Sequence, residues 1–190
     1  MSIYDLILKR RTIRKFEQKP ISKEMLLKYV NAARVAPSAA NRQPLKYAVV
    51  HSKDTVKKVF DCVKWAGYLA PDYNPKENER PTAFIAVCVD NNISKAGYEM
   101  DIGAAVENII LSALEDGVGA CWMGAIDKPE ITKILNLPEK LTLSCVVALG
   151  YAGESPKEVE IKEDNIKYYL ENGTLCVPKR NMEEVIICNK

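Results

Sequence analysis

The chain has 190 residues, and its 27 basic and 25 acidic side chains leave a formal net charge of +2. This near balance gives no bulk reason to expect binding to nucleic acid or to an anionic membrane surface. The length suits a single domain over residues 1–190, and no apolar run reaches the roughly 18 residues of a membrane span.

The six cysteines and the single histidine, His51, limit the chemistry that side chains can perform. No cysteine belongs to a C-x-x-C pair, and most lie in apolar runs, as Cys88 and Cys145 do. We therefore expect buried thiols, with no disulfide framework and no metal site. One histidine also excludes Ser-His-Asp and Cys-His catalysis. An enzyme built from this chain takes its chemistry from a bound group, and the lack of an export signal predicts the cytoplasm as its location.

The N-terminal half begins with two helices before any strand. Ser2 and Ser22 are placed to cap them, and Pro37 ends the second because proline lacks the amide hydrogen. The elements that follow are a loop at 37–44, a buried strand at 47–50, a helix at 54–66, a proline-rich loop at 70–81 and a second buried strand at 84–89. The 70–81 loop is the best candidate for a lid or a variable insert.

The C-terminal half contains the clearest helix of the chain, residues 97–116. Its apolar side chains cover most of the helix circumference, which predicts burial in a core or in a subunit interface. The remaining elements are a strand at 118–123, a helix from Asp127 to about Asn136, a strand at 143–149 and, after Gly153, a polar stretch that ends in the apolar run 185–188. Because two helices precede the first strand, the order favours an α+β sandwich with helices around a mixed sheet over a regular βαβ fold.

Three arginines and a hydroxyl lie at the end of the first helix: Arg10, Arg11, Thr12 and Arg14. Guanidinium forks match phosphate oxygens in two-point hydrogen bonds, so this segment predicts an anion site. The alternative is a solvated basic helix end that complements the helix dipole. A second basic pair, Lys179 and Arg180, is by itself typical of ordinary surface.

Two further segments suit a planar ligand. The loop between two prolines contains Pro37, Ser38, Asn41 and Gln43, and its amides offer donors and acceptors for the edge of a heterocycle; the alternative is plain turn chemistry. The stretch Gly117-x-Gly119-x-x-Trp122-Met123-Gly124 allows close backbone approach beside a tryptophan. It leads into a strand and so is not a dinucleotide fingerprint; the alternative is a tight turn before a buried tryptophan.

Taken in order, these segments resemble the nitroreductase family. The resemblance rests on R-R-T-x-R at 10–14, P-S-x-x-N-x-Q-P at 37–44, D-x-G-A-A-x-x-N-x-x-L-x-A at 101–113, G-x-G-x-x-W-x-G at 117–124 and P-K-R-x-M-E-E-V at 178–185. It covers nearly the whole chain and is specific for the family, but it does not name the substrate.

The resemblance implies an α+β homodimer with two FMN sites at the subunit interface. The long helix would pack in that interface, and the C-terminal tail would extend onto the partner subunit. Cofactor contacts are implied for Arg10, Arg11, Thr12, Arg14, Lys179 and Arg180 at the phosphate and ribityl end, for Pro37, Ser38, Asn41 and Gln43 from the other subunit, and for Cys121, Trp122, Met123 and Gly124 along the ring. Tyr68 and Tyr73 would line the substrate pocket over the open ring face.

The implied reaction is ping-pong transfer of hydride from NADH or NADPH through flavin N5 to a nitroaromatic, a quinone or a similar acceptor. The chemistry belongs to the cofactor, and Arg14 would stabilise negative charge at flavin N1 and O2. Two alternatives remain open: another flavin reaction on the same scaffold, such as ene-reduction or dehalogenation, and a flavin-binding protein without enzymatic activity.

Overall fold

The computed structural model describes residues 2–69 and 71–188. Helices begin where a polar side chain caps them: the hydroxyls of Ser2 and Ser22 and the carboxylate of Asp127 each accept a hydrogen bond from the backbone three residues on, as predicted. The helices are α1 Ile3–Lys9, α2 Lys23–Arg34, α3 Lys53–Asp61, α4 Glu99–Glu115, α5 Lys128–Ile134 and α6 Met182–Val185. Within the described residues, no helix combines the length and the apolar character needed to cross a bilayer.

The main sheet has the strand order β1-β2-β4-β3, with every neighbouring pair antiparallel. Its strands are β1 Leu45–Val50, β2 Ala83–Asp90, β3 Val118–Met123 and β4 Leu141–Tyr151. Every residue of β2 is buried, because helices and loops cover both faces of the sheet. The α+β prediction is therefore confirmed, and parallel pairing enters only at the isolated Thr12–Ala120 bridge and in a second, smaller sheet among the described residues.

Helix α4 lies on one face of the sheet, where Ile102, Val106 and Ile109 join the core that β2 and β4 form. Helix α2 packs beside it, and the Asn108 amide donates to the carbonyl oxygen of Ala32 at 3.0 Å. Every residue from 101 to 114 is buried or half-buried, which confirms the predicted burial. A second core on the opposite sheet face contains Phe16, Trp65 and Phe84.

Helix α3 is shorter than the predicted 54–66. The chain leaves the helix after Asp61 because residues 62–64 make backbone bonds elsewhere: Lys64 donates to the Ala125 carbonyl at 3.0 Å, and Val63 forms a bridge with Ile126. These tertiary bonds override a local helical preference. The predicted 70–81 loop starts at Ala70, which lies outside the described residues.

Residues after Gly153 form a small sheet that the sequence did not predict. Its strands are β5 Lys157–Glu160, β6 Tyr169–Glu171 and β7 Thr174–Lys179, in the order β5-β7-β6. Leu175 and Cys176 of β7 are buried, and Leu175 belongs to the Phe16 core. This segment therefore packs on its own chain, whereas the apolar side chains of 182–187 remain exposed.

Candidate functional site

The basic segment at 10–14 is an extended stretch laid along β3. The Ile13 amide donates to the Ala120 carbonyl at 2.9 Å, and Thr12 forms a parallel bridge with Ala120. Ile13 is buried in the core, which leaves its neighbours Thr12 and Arg14 directed the other way, since side chains alternate along an extended chain. Arg10 and Arg11 line a cavity together with Ile13, whereas Thr12 and Arg14 do not border it.

Gly119 lets the basic segment approach the sheet. A Cβ atom at Gly119 would lie 2.7 Å from Cγ1 and 2.8 Å from Cβ of Ile13, closer than carbon atoms normally pack. Gly150 plays the same part for Phe16, whose ring would lie 2.7 Å from an added Cβ. The close approach predicted at Gly119 is therefore occupied by this chain's own Ile13 rather than by a ligand ring.

Glu154 anchors the segment from the far end of the chain, and the sequence reasoning missed it. Its carboxylate accepts hydrogen bonds from the backbone amides of Arg14 and Lys15, the latter at 3.1 Å, and from the hydroxyl of Tyr73. Tyr73 is only 6% exposed, and burial, followed by the bond to Glu154, raises its pKa. The prediction that Tyr73 lines an open substrate pocket is corrected: its ring is enclosed, and its hydroxyl holds Glu154.

Two tyrosines lie next to Arg14. The guanidinium carbon of Arg14 is 4.6 Å from the ring centroid of Tyr168, and that ring lies 4.9 Å from the ring of Tyr68. The backbone amide of Tyr68 also donates to the Tyr168 hydroxyl at 3.3 Å. Tyr68 is 50% exposed, and its place in the substrate pocket stays a prediction. Tyr168 was not anticipated, because its link to Arg14 depends on the unpredicted fold of the tail.

Carboxylates already pair with most of the basic side chains that are predicted to bind phosphate. Arg11 forms an ion pair with Glu158, and Arg10 lies 3.4 Å from Glu107. Arg180 contacts Asp164 at 2.8 Å and Glu184 at 2.9 Å. A phosphate bound here would compete with these carboxylates for the same forked donors.

The second basic pair reaches this neighbourhood through the small sheet. Glu158 of β5, the partner of Arg11, stands opposite Val177 of β7. Lys179 follows two residues later, hence on the same sheet face and about 7 Å further along the strand. In the described parts of the chain, the recorded partners of Arg180 are Asp164 and Glu184, and no hydrogen bond links Lys179 or Arg180 to the arginines of the 10–14 segment.

Strand alternation divides the predicted ring contacts at 121–124. Cys121 and Met123 point into the Phe16 core, whereas Trp122 points to the opposite face and is 45% exposed. Burial raises the pKa of the Cys121 thiol to about 11, although nearby Arg14 works against the shift. A thiol with this pKa stays protonated at neutral pH and is a poor nucleophile. Among these four residues, the side chain of Trp122 and the backbone at Gly124 are the accessible parts.

The loop at 37–44 is fastened to the start of α4 by Asp101. This buried carboxylate accepts from the Ser38 hydroxyl at 2.6 Å and from the Ala39 amide at 2.9 Å. The Gln43 amide group donates to Asn41 Oδ1 at 3.0 Å, and both residues adopt positive φ angles, 52° and 53°. Together with Pro37, the loop borders a shallow cavity of about 130 Å³. Asn41 and Gln43 are exposed, and their contact with the edge of a heterocycle stays a prediction.

The loop and the basic segment lie on opposite flanks of α4. Asp101 and Asn108, seven residues apart, share the flank that faces α2 and the loop. Ile110 and Leu114 line a cavity of about 280 Å³ together with Arg10 and Arg11. At about 100° per residue, they lie roughly 120° to 180° around the helix from Asp101 and Asn108. One chain therefore does not bring the two predicted halves of the site around one small molecule.

The comparisons agree on one family. The Nitroreductase family model matches residues 7–151. A protein of Archaeoglobus fulgidus named "Putative NADH dehydrogenase/NAD(P)H nitroreductase" is 35% identical over 153 residues, which cover 77% of this chain and 83% of the relative. The iodotyrosine deiodinase of Thermotoga neapolitana is 25% identical over 87% of this chain and 97% of its own. The solved structure of an FMN-dependent nitroreductase from Clostridium difficile R20291 has a TM-score of 0.67 at 26% identity, covering 88% of this chain and 97% of that chain.

Proposed function

Because this chain belongs to the nitroreductase family, we propose that it is an FMN-dependent oxidoreductase. Its electrons would come from NADH or NADPH and pass to a nitroaromatic, a quinone or a similar electron-poor acceptor. The observation that carries the proposal is the Arg-rich segment fixed along β3, beside a cavity lined by Arg10, Arg11 and residues 117–120.

The residues present fit FMN by the chemistry of their donors. Arg10, Arg11 and the Thr12 hydroxyl offer the forked and single donors that a phosphate accepts. Asn41 and Gln43 offer donor and acceptor pairs for the edge of a heterocycle, and Trp122 offers an exposed aromatic surface. Lys179 and Arg180 are proposed as further phosphate ligands, with Arg180 exchanging a carboxylate partner for the phosphate.

The chain's own residues bind and orient, and FMN, when bound, supplies the electron-transfer chemistry. Arg14 would place a positive charge near the ring of the bound cofactor. Glu154 fixes its backbone, and Tyr168 covers its guanidinium. A fixed cation stabilises developing negative charge without the cost of reorganising solvent. The Cys121 thiol, with its raised pKa, is kept out of the chemistry.

A second copy of this chain is proposed to complete the site. The loop at 37–44 and the basic segment lie on opposite flanks of α4, so one flank from each subunit would face the cofactor. Helix α1 supports this, since none of its residues is buried and Ile3 is 77% exposed. Met100 on α4 and Ile187 in the tail are also largely exposed. Apolar side chains distributed over α1, α4 and the tail are typical of a surface that a partner covers.

Charging the exposed face of α1 is expected to separate the subunits. In the double variant Ile3→Asp and Ile7→Asp, two charges would have to be buried in the interface, which is costly without partners. We expect a monomer in light scattering after size exclusion, together with loss of FMN binding. The matched control, Ile3→Val and Ile7→Val, keeps the apolar face and should remain dimeric. A charged variant that stays dimeric and holds FMN would place the interface elsewhere.

The purified protein is expected to be yellow and to release FMN at about one per chain, as a site built equally from two copies requires. An absorbance spectrum, followed by identification of the released chromophore, checks this. The yellow protein should then be bleached by NADH or NADPH without oxygen and recover its colour when a quinone is added. A colourless protein that also refuses added FMN would contradict the proposal, and a yellow protein that neither donor reduces would support a flavin-binding role without catalysis.

A second candidate reaction is reductive dehalogenation, which the match to the Thermotoga neapolitana deiodinase favours. Both reactions use the same flavin site, and the difference lies in the acceptor. A panel of a nitroaromatic, a quinone and a halophenol, each offered to the reduced protein, separates them by rate.

A further inference from the structure

A separate cavity of about 460 Å³ opens at the end of the sheet where β1 leaves it and β2 enters. It lies between α3 and the segment 77–82, and the segment 18–20 closes it from the side. None of its lining residues belongs to the candidate flavin site. Its size falls within the range of small-molecule pockets and exceeds what an inorganic ion fills.

The lining carries an excess of positive charge. The lining contains three cations, Arg80, Lys53 and Lys57, and one carboxylate, Glu77. His51, the only histidine of the chain, also lines the cavity. Lys57 also forms a surface ion pair with Asp61, in which Nζ of Lys57 lies 3.4 Å from Oδ2 of Asp61. Within residues 2–69 and 71–188, neither Lys53 nor the guanidinium of Arg80 forms an ion pair or a side-chain hydrogen bond. These two cations are therefore available to a ligand.

Arg80 is held in position without an acceptor. Its guanidinium carbon lies 4.3 Å from the ring centroid of Phe60, a distance typical of a cation–π contact. Its backbone carbonyl accepts from the Gln18 amide group at 2.9 Å. Its Nε atom is buried and has no hydrogen-bond partner among the described residues. Because this atom is closed to solvent, a ligand in the cavity would meet the remaining, half-buried part of the Arg80 side chain.

The rest of the lining is apolar. Val56 is buried, and Pro20, Phe60 and Pro81 complete the wall next to the cations. A hydrated inorganic ion gains nothing from such a wall, whereas a flat organic body does. We propose that this cavity binds a small organic anion, a planar apolar body that carries a carboxylate or a phosphate group. Arg80 and Lys53 receive the anionic group, and Phe60 with the two prolines receives the body.

The experiment uses 2-naphthoate as the probe and the C2–H resonance of His51 as the reporter. Because the chain has one histidine, this proton NMR signal reports on the cavity without assignment, and it needs neither flavin reduction nor turnover. We expect 2-naphthoate to shift the signal and to saturate it. The neutral 2-naphthamide and inorganic phosphate should each bind at least tenfold more weakly, because each lacks one of the two matching features.

Two variants decide whether the shift comes from this cavity. Arg80→Gln and Lys53→Gln should each weaken 2-naphthoate at least fivefold, and Lys58→Gln, an exposed α3 residue outside the lining, should leave its affinity unchanged. Lys53 is exposed at the first turn of α3, so its variant tests the site even if Arg80→Gln unfolds. An absent shift, equal binding of 2-naphthamide or phosphate, or unchanged affinity in Lys53→Gln overturns the proposal. FMN binding is scored separately by colour, so the two proposals fail independently.

Discussion

Replacing Arg14 with alanine is expected to weaken FMN binding by about 10- to 100-fold and to lower turnover with it. The variant loses a charge-assisted hydrogen bond, which contributes about 1.5–3 kcal/mol, and each 1.4 kcal/mol changes a dissociation constant tenfold. It also removes the cation proposed to stabilise negative charge on the ring, so the rate at saturating FMN falls as well. Fluorescence titration of the apoprotein with FMN gives the affinity, and steady-state oxidation of NADH or NADPH with excess FMN gives the rate.

Two controls separate the charge of Arg14 from its packing. Arg14→Lys keeps the charge and loses the fork, so affinity should recover in part. Tyr168→Ala removes the ring that lies 4.6 Å from the guanidinium carbon and leaves the charge in place, so it should affect FMN binding less than Arg14→Ala. If Arg14→Ala binds FMN and turns over like the parent protein, Arg14 has no part in the site.

Gly119→Ala is expected to destabilise the fold by about 1–3 kcal/mol, the usual cost of overpacking a core. The new Cβ atom would stand 2.8 Å from Cβ of Ile13, which is next to the backbone and cannot swing aside as the end of a long side chain does. The segment that carries Arg11, Thr12 and Arg14 must then move off β3, so FMN affinity should fall in the same variant. Urea unfolding measures the first effect, and fluorescence titration measures the second.

A control glycine and a compensating substitution test the prediction for Gly119→Ala. Gly67→Ala places its Cβ in open space and has an ordinary φ, so it should leave the free energy of unfolding within about 0.5 kcal/mol of the parent value. Adding Ile13→Ala to Gly119→Ala removes the contact with Cγ1 at 2.7 Å and leaves the contact with Cβ at 2.8 Å. The rescue should therefore be partial, and the two changes should show a favourable coupling energy in a double-mutant cycle. Strict additivity of the two changes would contradict the packing assigned to Gly119.

The elements that the sequence predicts well are those with local signals. Caps at Ser2, Ser22 and Asp127 mark helix starts, and the apolar character of residues 101–114 marks a helix covered on most sides. The basic segment is also visible, because three arginines within five positions form an unusual local cluster. In these cases the residue types and their spacing are themselves the physical cause of the local structure.

The contacts that hold the site were not predictable in the same way. Glu154 and Tyr168 act on Arg14 from the far end of the chain, through a small sheet whose strands β5 and β6 read Lys-Glu-Val-Glu and Tyr-Leu-Glu. Such short, mostly exposed strands lack a clear alternation, so period-two reasoning finds no strand. The family resemblance implies that Tyr73 lines the substrate pocket, whereas its partner in the structure is a carboxylate distant in sequence.

The anchoring of the basic segment also determines when the site can form during folding. Arg14 is hydrogen-bonded to Glu154, 140 positions away in sequence, and Arg11 to Glu158, 147 positions away. The backbone hydrogen bond of Ile13 also needs a distant partner, Ala120. Contacts of such long range form late, because closing the loop costs chain entropy before any bond is gained. On the ribosome the arginines emerge early and remain without their anchors until nearly the whole chain has been made. A chain truncated before Glu154 would carry every arginine of the 10–14 segment but lack the two carboxylates that hold Arg14 and Arg11.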